Sequence, residues 1–166
     1  TIFIEHKSHM HKRVSNFILD QDVPEERYIT EIGKAKIVKH GSDLTIVTLS
    51  AQVEQSLKVA NKLKSNNIDV EVIDLLSIVP MDIETICSSL SKTKRLLIID
   101  EDYLSFGISG EIITRVIENL GINNIKQIER IGNPDIPVPA AKSLEELTIP
   151  NLISIENKII EMSKSF

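Results

Sequence analysis

The sequence predicts an α/β protein, a three-layer α/β/α sandwich around a five-stranded, mostly parallel sheet. Hydrophobic periodicity switches repeatedly between short runs of strand length and longer stretches at helical spacing. Two of the short runs, LTIVTLS at 44–50 and RLLIID at 95–100, are continuously apolar or β-branched, as strands covered on both faces are. The 166 residues, 42% hydrophobic and 26% charged, suffice for one main core, since a chain of this length buries roughly 70% of the surface its unfolded form exposes.

The elements follow in order. KAKIVKH at 34–40 alternates and ends at Gly41, which reads as a half-exposed strand turning into the buried strand at 44–50. Helical spacing then places Val53, Leu57, Ala60 and Leu63 on one face, with Gln52, Glu54, Lys58, Lys62 and Lys64 expected on the polar side. Asn66 and Asn67 end that helix, because Asn tolerates the left-handed conformation. VEVID at 70–74 is the next strand, and 79–92 the next helix, with Asp82 as its N-cap. After the strand at 95–100 comes a helix from about Ser109 to Leu120, then an alternating strand, IKQIERI, at 125–131. Three prolines exclude regular structure from 132–142. SLEE at 143–146 has a capping-box pattern and opens a short helix stopped before Pro150. Residues 151–164 form a last helix with Leu152, Ile155, Ile159 and Met162 inward. Alternating βα units of this kind give a parallel sheet with right-handed crossovers.

Composition excludes several function classes. A net charge of −5 supplies no basic footprint for nucleic acid or an anionic membrane. No apolar run reaches the roughly 20 residues of a membrane span, and no secretory signal opens the chain. The single Cys87 rules out a disulfide framework. A soluble intracellular protein is expected, cytoplasmic or in an organellar matrix. Residues 1–32 do not share the βα rhythm, and TIFIEH at 1–6 starts like a strand without its own helix. They read as the tail of an upstream domain and a linker, with the main domain spanning 33–166.

Candidate chemistry is sparse. His6, His9 and His11 cluster, but only Glu5 stands near as a further ligand, so solvated or interface histidines are the better reading than a metal site. Asp100, Glu101 and Asp102 follow a buried strand, where open α/β sheets bind ligands. A receiver-type phosphorylation site would take Asp74 as a second acid, yet no Lys follows the last strand. The loop FGISG offers Gly107 and Gly110 but neither a P-loop Lys nor a G-x-G-x-x-G pattern. A turn that lets the next helix start close to the sheet is the plain alternative. Cys87 has no matched base and reads as a small core residue. No catalytic constellation emerges from residue chemistry alone.

The order of longer blocks says more. IGKAKIVKHGSDLTIVTLS, NNIDVEVIDLLSIVPMDIETICSSLSKTKRLLIIDED, SFGISGEI and RIGNPDIPVPAAKSLEELTIPN together resemble the C-terminal domain of the β subunit of a thiamine diphosphate-dependent 2-oxo acid dehydrogenase. These are the decarboxylating first components of the pyruvate and branched-chain complexes, similar in their β subunits to the C-terminal part of transketolase. The resemblance runs from Ile32 to the end, with FIEHK matching the last strand of the preceding pyrimidine-binding domain. It implies a transketolase C-terminal-type fold whose first strand, Ala35 to His40, is antiparallel to the rest.

The resemblance also implies a division of labour. Thiamine diphosphate and magnesium belong to the full enzyme and are bound by the upstream domain and the α subunit, or by an α-like half of a fused chain. No catalytic, cofactor-binding or metal-binding residue carries over to residues 1–166, and the isolated domain is expected to be inactive. Its expected work is scaffolding: packing against a second β subunit and presenting a surface to the subunit-binding domain of the acyltransferase core. Candidate loop and interface residues are Asp100, Glu101, Phe106, Gly107, Gly110, Glu111 and Lys126, with Gly107 and Gly110 permitting close approach and Glu111 favouring the helix N-terminus. The chain departs from the family at Lys126, near the position of an acid expected before the last strand, and at Leu76, where arginine is common. A transketolase or deoxyxylulose phosphate synthase with the same domain, and a free-standing α/β binding module, are the alternative readings.

Overall fold

The computed structural model describes His6 and residues 25–164. Five strands form one sheet in the order β1-β3-β2-β4-β5. They are β1 (Lys36–Lys39), β2 (Leu44–Thr48), β3 (Val70–Asp74), β4 (Arg95–Tyr103) and β5 (Gln127–Asn133). Helix α1 (Ala51–Lys64) links β2 to β3, α2 (Ile83–Thr93) links β3 to β4, and α3 (Ile108–Leu120) links β4 to β5. A four-residue α4 (Lys142–Glu145) and a terminal α5 (Leu152–Ser163) complete the described chain. β2 pairs in parallel with β3 and β4, β4 pairs in parallel with β5, and β1 is antiparallel to β3. The expected mixed sheet with an antiparallel first strand is therefore what forms.

Alternation along the central strands sorts their side chains into two cores. Leu44, Ile46, Val72, Leu97 and Ile99 meet Leu57, Leu63, Ile155 and Ile159 of α1 and α5. Val47, Ile73, Leu96 and Ile98 face the other way, onto Ile86, Leu90, Ile112 and Val116 of α2 and α3. Both layers exist because β2 and β4 are apolar on both faces, so neither face tolerates water.

Several local expectations are corrected. Gln52 and Glu54, assigned to a polar face, are 3% and 4% exposed: Gln52 reaches the end of the sheet, and Glu54 is paired with Lys58 at 2.6 Å. Leu152, expected inward, is 41% exposed, at the first position of α5. The capping box at Ser143 does not form. α4 starts one residue earlier, from Ala141 and without a side-chain cap, while the capping box belongs to Asn151 and Ser154 at the start of α5. β4 does not stop at Asp100 but continues to Tyr103, with a register shift between Ile99 and Tyr103. The helix predicted from 79 starts at Ile83, where Asp82 caps it by accepting from Thr85 N at 3.1 Å. The other Asp82 oxygen accepts from Ala35 N at 3.0 Å, so one carboxylate ties α2 to the chain entering β1.

The amino end of the sheet is held by a buried carboxylate. Glu71, 1% exposed in β3, accepts from Lys92 Nζ at 2.7 Å, Gly41 N at 3.2 Å and the Ser89 hydroxyl. Thr45 Oγ1 extends this network to Ser89 and Thr93, each at 2.7 Å. Gly41 has no alternative here, since a Cβ would lie 2.3 Å from Glu71 N. Burial alone pushes the Glu71 carboxyl up, but Lys92, Ser89 and Gly41 outweigh it and hold it below the ordinary glutamate value of 4.5. Its contribution to stability is therefore complete above pH 4.5 and is lost as pH falls through the lower folded-state value. Glu71→Ala should cost about 2 kcal/mol, less than a fully buried pair because Lys92 is half exposed. Glu71→Gln should flatten the acid limb of a melting-temperature profile, and an unchanged limb would assign acid sensitivity elsewhere.

Candidate functional site

In open α/β sheets ligands sit beyond the carboxyl ends of the strands, where successive crossovers leave in opposite directions. Here that point lies between β2 and β4: α1 carries the chain from β2 to β3 on one side, and α3 carries it from β4 to β5 on the other. A cleft of about 480 Å³ opens there, lined by His6, Gln52, Gln55, Glu101, Lys142 and Asn151 among others.

Glu101 organises the cleft wall. Its Oε1 accepts from Gln52 Nε2 and its Oε2 pairs with His6 Nε2, each at 2.8 Å. Its backbone carbonyl accepts from Asn133 Nδ2 at 2.6 Å, which binds the end of β4 to the end of β5. Gln52 Nε2 also donates to Pro150 O at 3.2 Å, so His6 and α1 meet the Glu101 carboxylate, β5 meets its backbone carbonyl, and the entry to α5 is tied in through Gln52. Beneath it, Thr48 Oγ1 donates to Ile99 O at 2.8 Å, holding the ends of β2 and β4 together.

The other predicted residues lie apart from this node. Asp100 points away from Glu101 along the strand and accepts from Asp102 N at 3.2 Å. Burial, with smaller additions from Asp102 and Glu101, pushes its carboxyl up. Asp74 is raised by burial too, at the end of β3, but β2 separates it from β4, so the two acids do not form one site. Phe106 is fully exposed at φ 62°, on a loop fixed by Arg130, which donates to Leu104 O at 2.9 Å and Ser109 Oγ at 3.2 Å. Glu111 is exposed in the first turn of α3 and pairs with Arg115 at 2.7 Å. Lys126 is exposed at the amino end of β5, opposite to Asn133. Cys87 is half-buried against the α2 and α3 core, and burial pushes its thiol up. His9 and His11 lie outside the described residues, as does most of the predicted N-terminal strand.

The two loop glycines separate. A Cβ on Gly107 would meet Tyr103 O at 2.1 Å, whereas one on Gly110 meets nothing within 4 Å. Close approach therefore explains Gly107 only, and the expectation for Gly110 is corrected.

The sequence reading missed Gln52, Asn133 and Asn151. The available signal was positional: Gln52 follows the strand on one side of the switch point as Glu101 ends the strand on the other.

Residues 33–155 match the family profile of the transketolase C-terminal domain. The chain belongs to that family. The pyruvate dehydrogenase E1 component subunit beta of Rickettsia felis is 41% identical over 143 residues, covering 86% of this chain and 43% of that protein. The mitochondrial subunit beta-1 of Arabidopsis thaliana is 39% identical, covering 84% of this chain and 39% of the relative. The Bacillus subtilis subunit beta is 33% identical, covering 85% and 44%. The chain thus spans less than half the length of these relatives. Among solved structures, a split gene transketolase described as an inactive beta4 tetramer superposes with a TM-score of 0.70 at 23% identity, over 84% of this chain and 45% of that one, a likeness of fold.

The described residues do not fit thiamine diphosphate with magnesium. No group of three His, Cys, Asp or Glu among them is placed to hold a metal ion. The start of α3, the nearest thing to a phosphate cradle, is closed by the Tyr103 carbonyl against Gly107 and carries Glu111 in its first turn, which repels an anion. No helix of the described residues is long and apolar enough to cross a membrane.

Gly107→Ala should destabilise the domain by about 2 kcal/mol or force the 104–107 loop to move. Gly110→Ala should be neutral or stabilising by about 0.5–1 kcal/mol, as expected for filling an unobstructed helical glycine. Urea unfolding of the two variants checks this, and equal effects would contradict the assignment.

Proposed function

We propose that this chain is the C-terminal scaffolding and interface domain of a pyruvate dehydrogenase E1 β subunit. The observation that carries the reading is 41% identity to such a subunit across 86% of the chain. On this reading the whole enzyme decarboxylates pyruvate with thiamine diphosphate and magnesium and passes the acyl group to lipoyl groups, the disulfide acceptor. The cofactor, the acid–base residues and the substrate pocket belong to an upstream pyrimidine-binding domain and an α subunit. This domain binds none of them. Its partners are the upstream domain, the α subunit, a second β subunit and the subunit-binding domain of the acyltransferase core, in whichever compartment houses the complex.

The distribution of exposed apolar residues supports an interface role. Tyr28, Ile29 and Ile32 precede β1, whose start pairs with Asp74 at the end of β3. Leu76 and Val79 follow β3, and Phe106 follows β4. Ile32, Leu76, Val79 and Phe106 thus sit in connections at the carboxyl end of the sheet, a placement that supports a protein contact there. Phe106 combines full exposure with a left-handed backbone, as suits an aromatic anchor entering a partner's pocket.

Purified as it occurs in the cell, the protein should release CO2 from pyruvate only with thiamine diphosphate and magnesium present. Asp100→Ala with Glu101→Ala should leave thiamine diphosphate affinity unchanged, whereas Phe106→Ala should weaken subunit association by about tenfold or more. Turnover of sugar phosphates instead of pyruvate, or loss of cofactor binding in the double variant, would overturn the reading.

A further inference from the structure

Between Asn133 and Pro150 the chain makes an excursion in which no residue is buried. Asn133 and Pro150 are themselves buried, yet the sixteen residues 134–149 are not, and Pro139, Glu145, Thr148 and Ile149 reach only half-burial. The apolar side chains of Ile136, Val138, Leu144 and Leu147 are all exposed. Both ends of the excursion are fixed at one place. Asn133 Nδ2 donates to Glu101 O at 2.6 Å, and Pro150 O accepts from Gln52 Nε2, which also donates to the Glu101 carboxylate. A surface loop of this length with its ends drawn together is an Ω-loop, a class normally packed by its own side chains. This one buries none of them.

Its ties to the domain are few. Among the described residues, one side-chain hydrogen bond joins the loop to the body, from Ser105 Oγ to Asp135 Oδ2 at 2.5 Å. Another, from Asn151 Nδ2 to Glu146 O at 2.9 Å, comes from the hinge itself. The helix within the loop, α4, is a single turn without a side-chain cap, too short to hold itself in water. Pro134, Pro137 and Pro139 restrict the loop's backbone whether it is docked or open, which lowers the entropy gained on opening and keeps the excursion compact.

The same loop carries one wall of the cleft. Lys142, Glu146 and Ile149 line it on that side, and Gln55 and Glu101 line it from α1 and β4. One wall thus belongs to elements packed on the sheet, while the other rests on a segment without buried contacts. Local opening is easiest where buried apolar contact is least.

We propose that residues 134–149 form a gate, opening as a unit about Asn133 and Pro150 to uncover the α1 and β4 wall of the cleft while the sheet stays intact. The gate does not depend on which reaction the intact protein catalyses.

Hydrogen exchange of the intact protein, read by mass spectrometry, tests the opening. Amides of residues 140–149 should exchange about 100-fold or more faster than those of α1 and β4, at a rate unchanged by mild urea, since a local opening exposes little new surface. Replacing residues 136–147 with Gly-Ser-Gly-Ser should leave the melting temperature within about 2 °C of the parent, because nothing buried is removed. Gating is read separately at Gln55→Cys on the cleft wall. A bulky maleimide should label that thiol about tenfold or more faster in the shortened protein than in the full-length loop, with Cys87, packed on the α2 and α3 side of the sheet, as the unchanged control. Exchange of 140–149 at the rate of α1, or unfolding of the shortened variant, would overturn the independent opening. Equal labelling at position 55 with and without the loop would overturn the gate.

Discussion

The architecture depends on one constraint: β2 and β4, paired in parallel at the centre of the sheet, are apolar on both faces. Ile46 and Leu97 require a cover of α1 and α5, while Val47 and Ile98 require α2 and α3. With right-handed crossovers, two such covers are reached only if the chain leaves β2 and β4 toward opposite edges. The divergence of those crossovers creates the cleft at the carboxyl end. The position of Glu101 and Gln52 is thus a consequence of hydrophobic burial in the strands below them, and no separate device is needed to open the site.

The two ends of the sheet use buried polarity differently. At the amino end, Glu71 is saturated by Lys92, Ser89 and Gly41, and such a closed network specifies register without leaving capacity for a ligand. At the carboxyl end, Glu101 also has both oxygens engaged, but the amide that engages one of them is itself left with an unpaired oxygen. The exposed Phe106 and the apolar residues flanking β1 and β3 lie at the carboxyl end.

Much of this was legible in the sequence because periodicity reports burial. VEVID and the 44–48 run became strands, Asp82 became a cap, and the antiparallel first strand followed from the family resemblance. The errors share a cause. Gln52, Glu54 and Leu152 were placed by residue type alone, and the burial of Gln52 is set by contacts with Glu101 and Pro150, distant in sequence. Asp100, Glu101 and Asp102 looked like a loop because acids disfavour strands, yet pairing with β5 carries β4 on to Tyr103. Gly107 and Gly110 are indistinguishable as letters, and only the Tyr103 carbonyl tells them apart. The site was legible as a place, the acidic strand end, and not as a set of contacts, since Gln52, Asn133 and His6 reach Glu101 from across the chain.

The central claim is that these residues act as one domain of a larger thiamine enzyme. The most direct test is the size of the native polypeptide, detected in extract of the source cell with an antibody against residues 25–164. The account predicts a band about twice the 18.6 kDa of this chain or larger, as the coverage of the relatives implies, that co-sediments with pyruvate decarboxylation. A band at 18.6 kDa alone, with the activity elsewhere in the gradient, would contradict it.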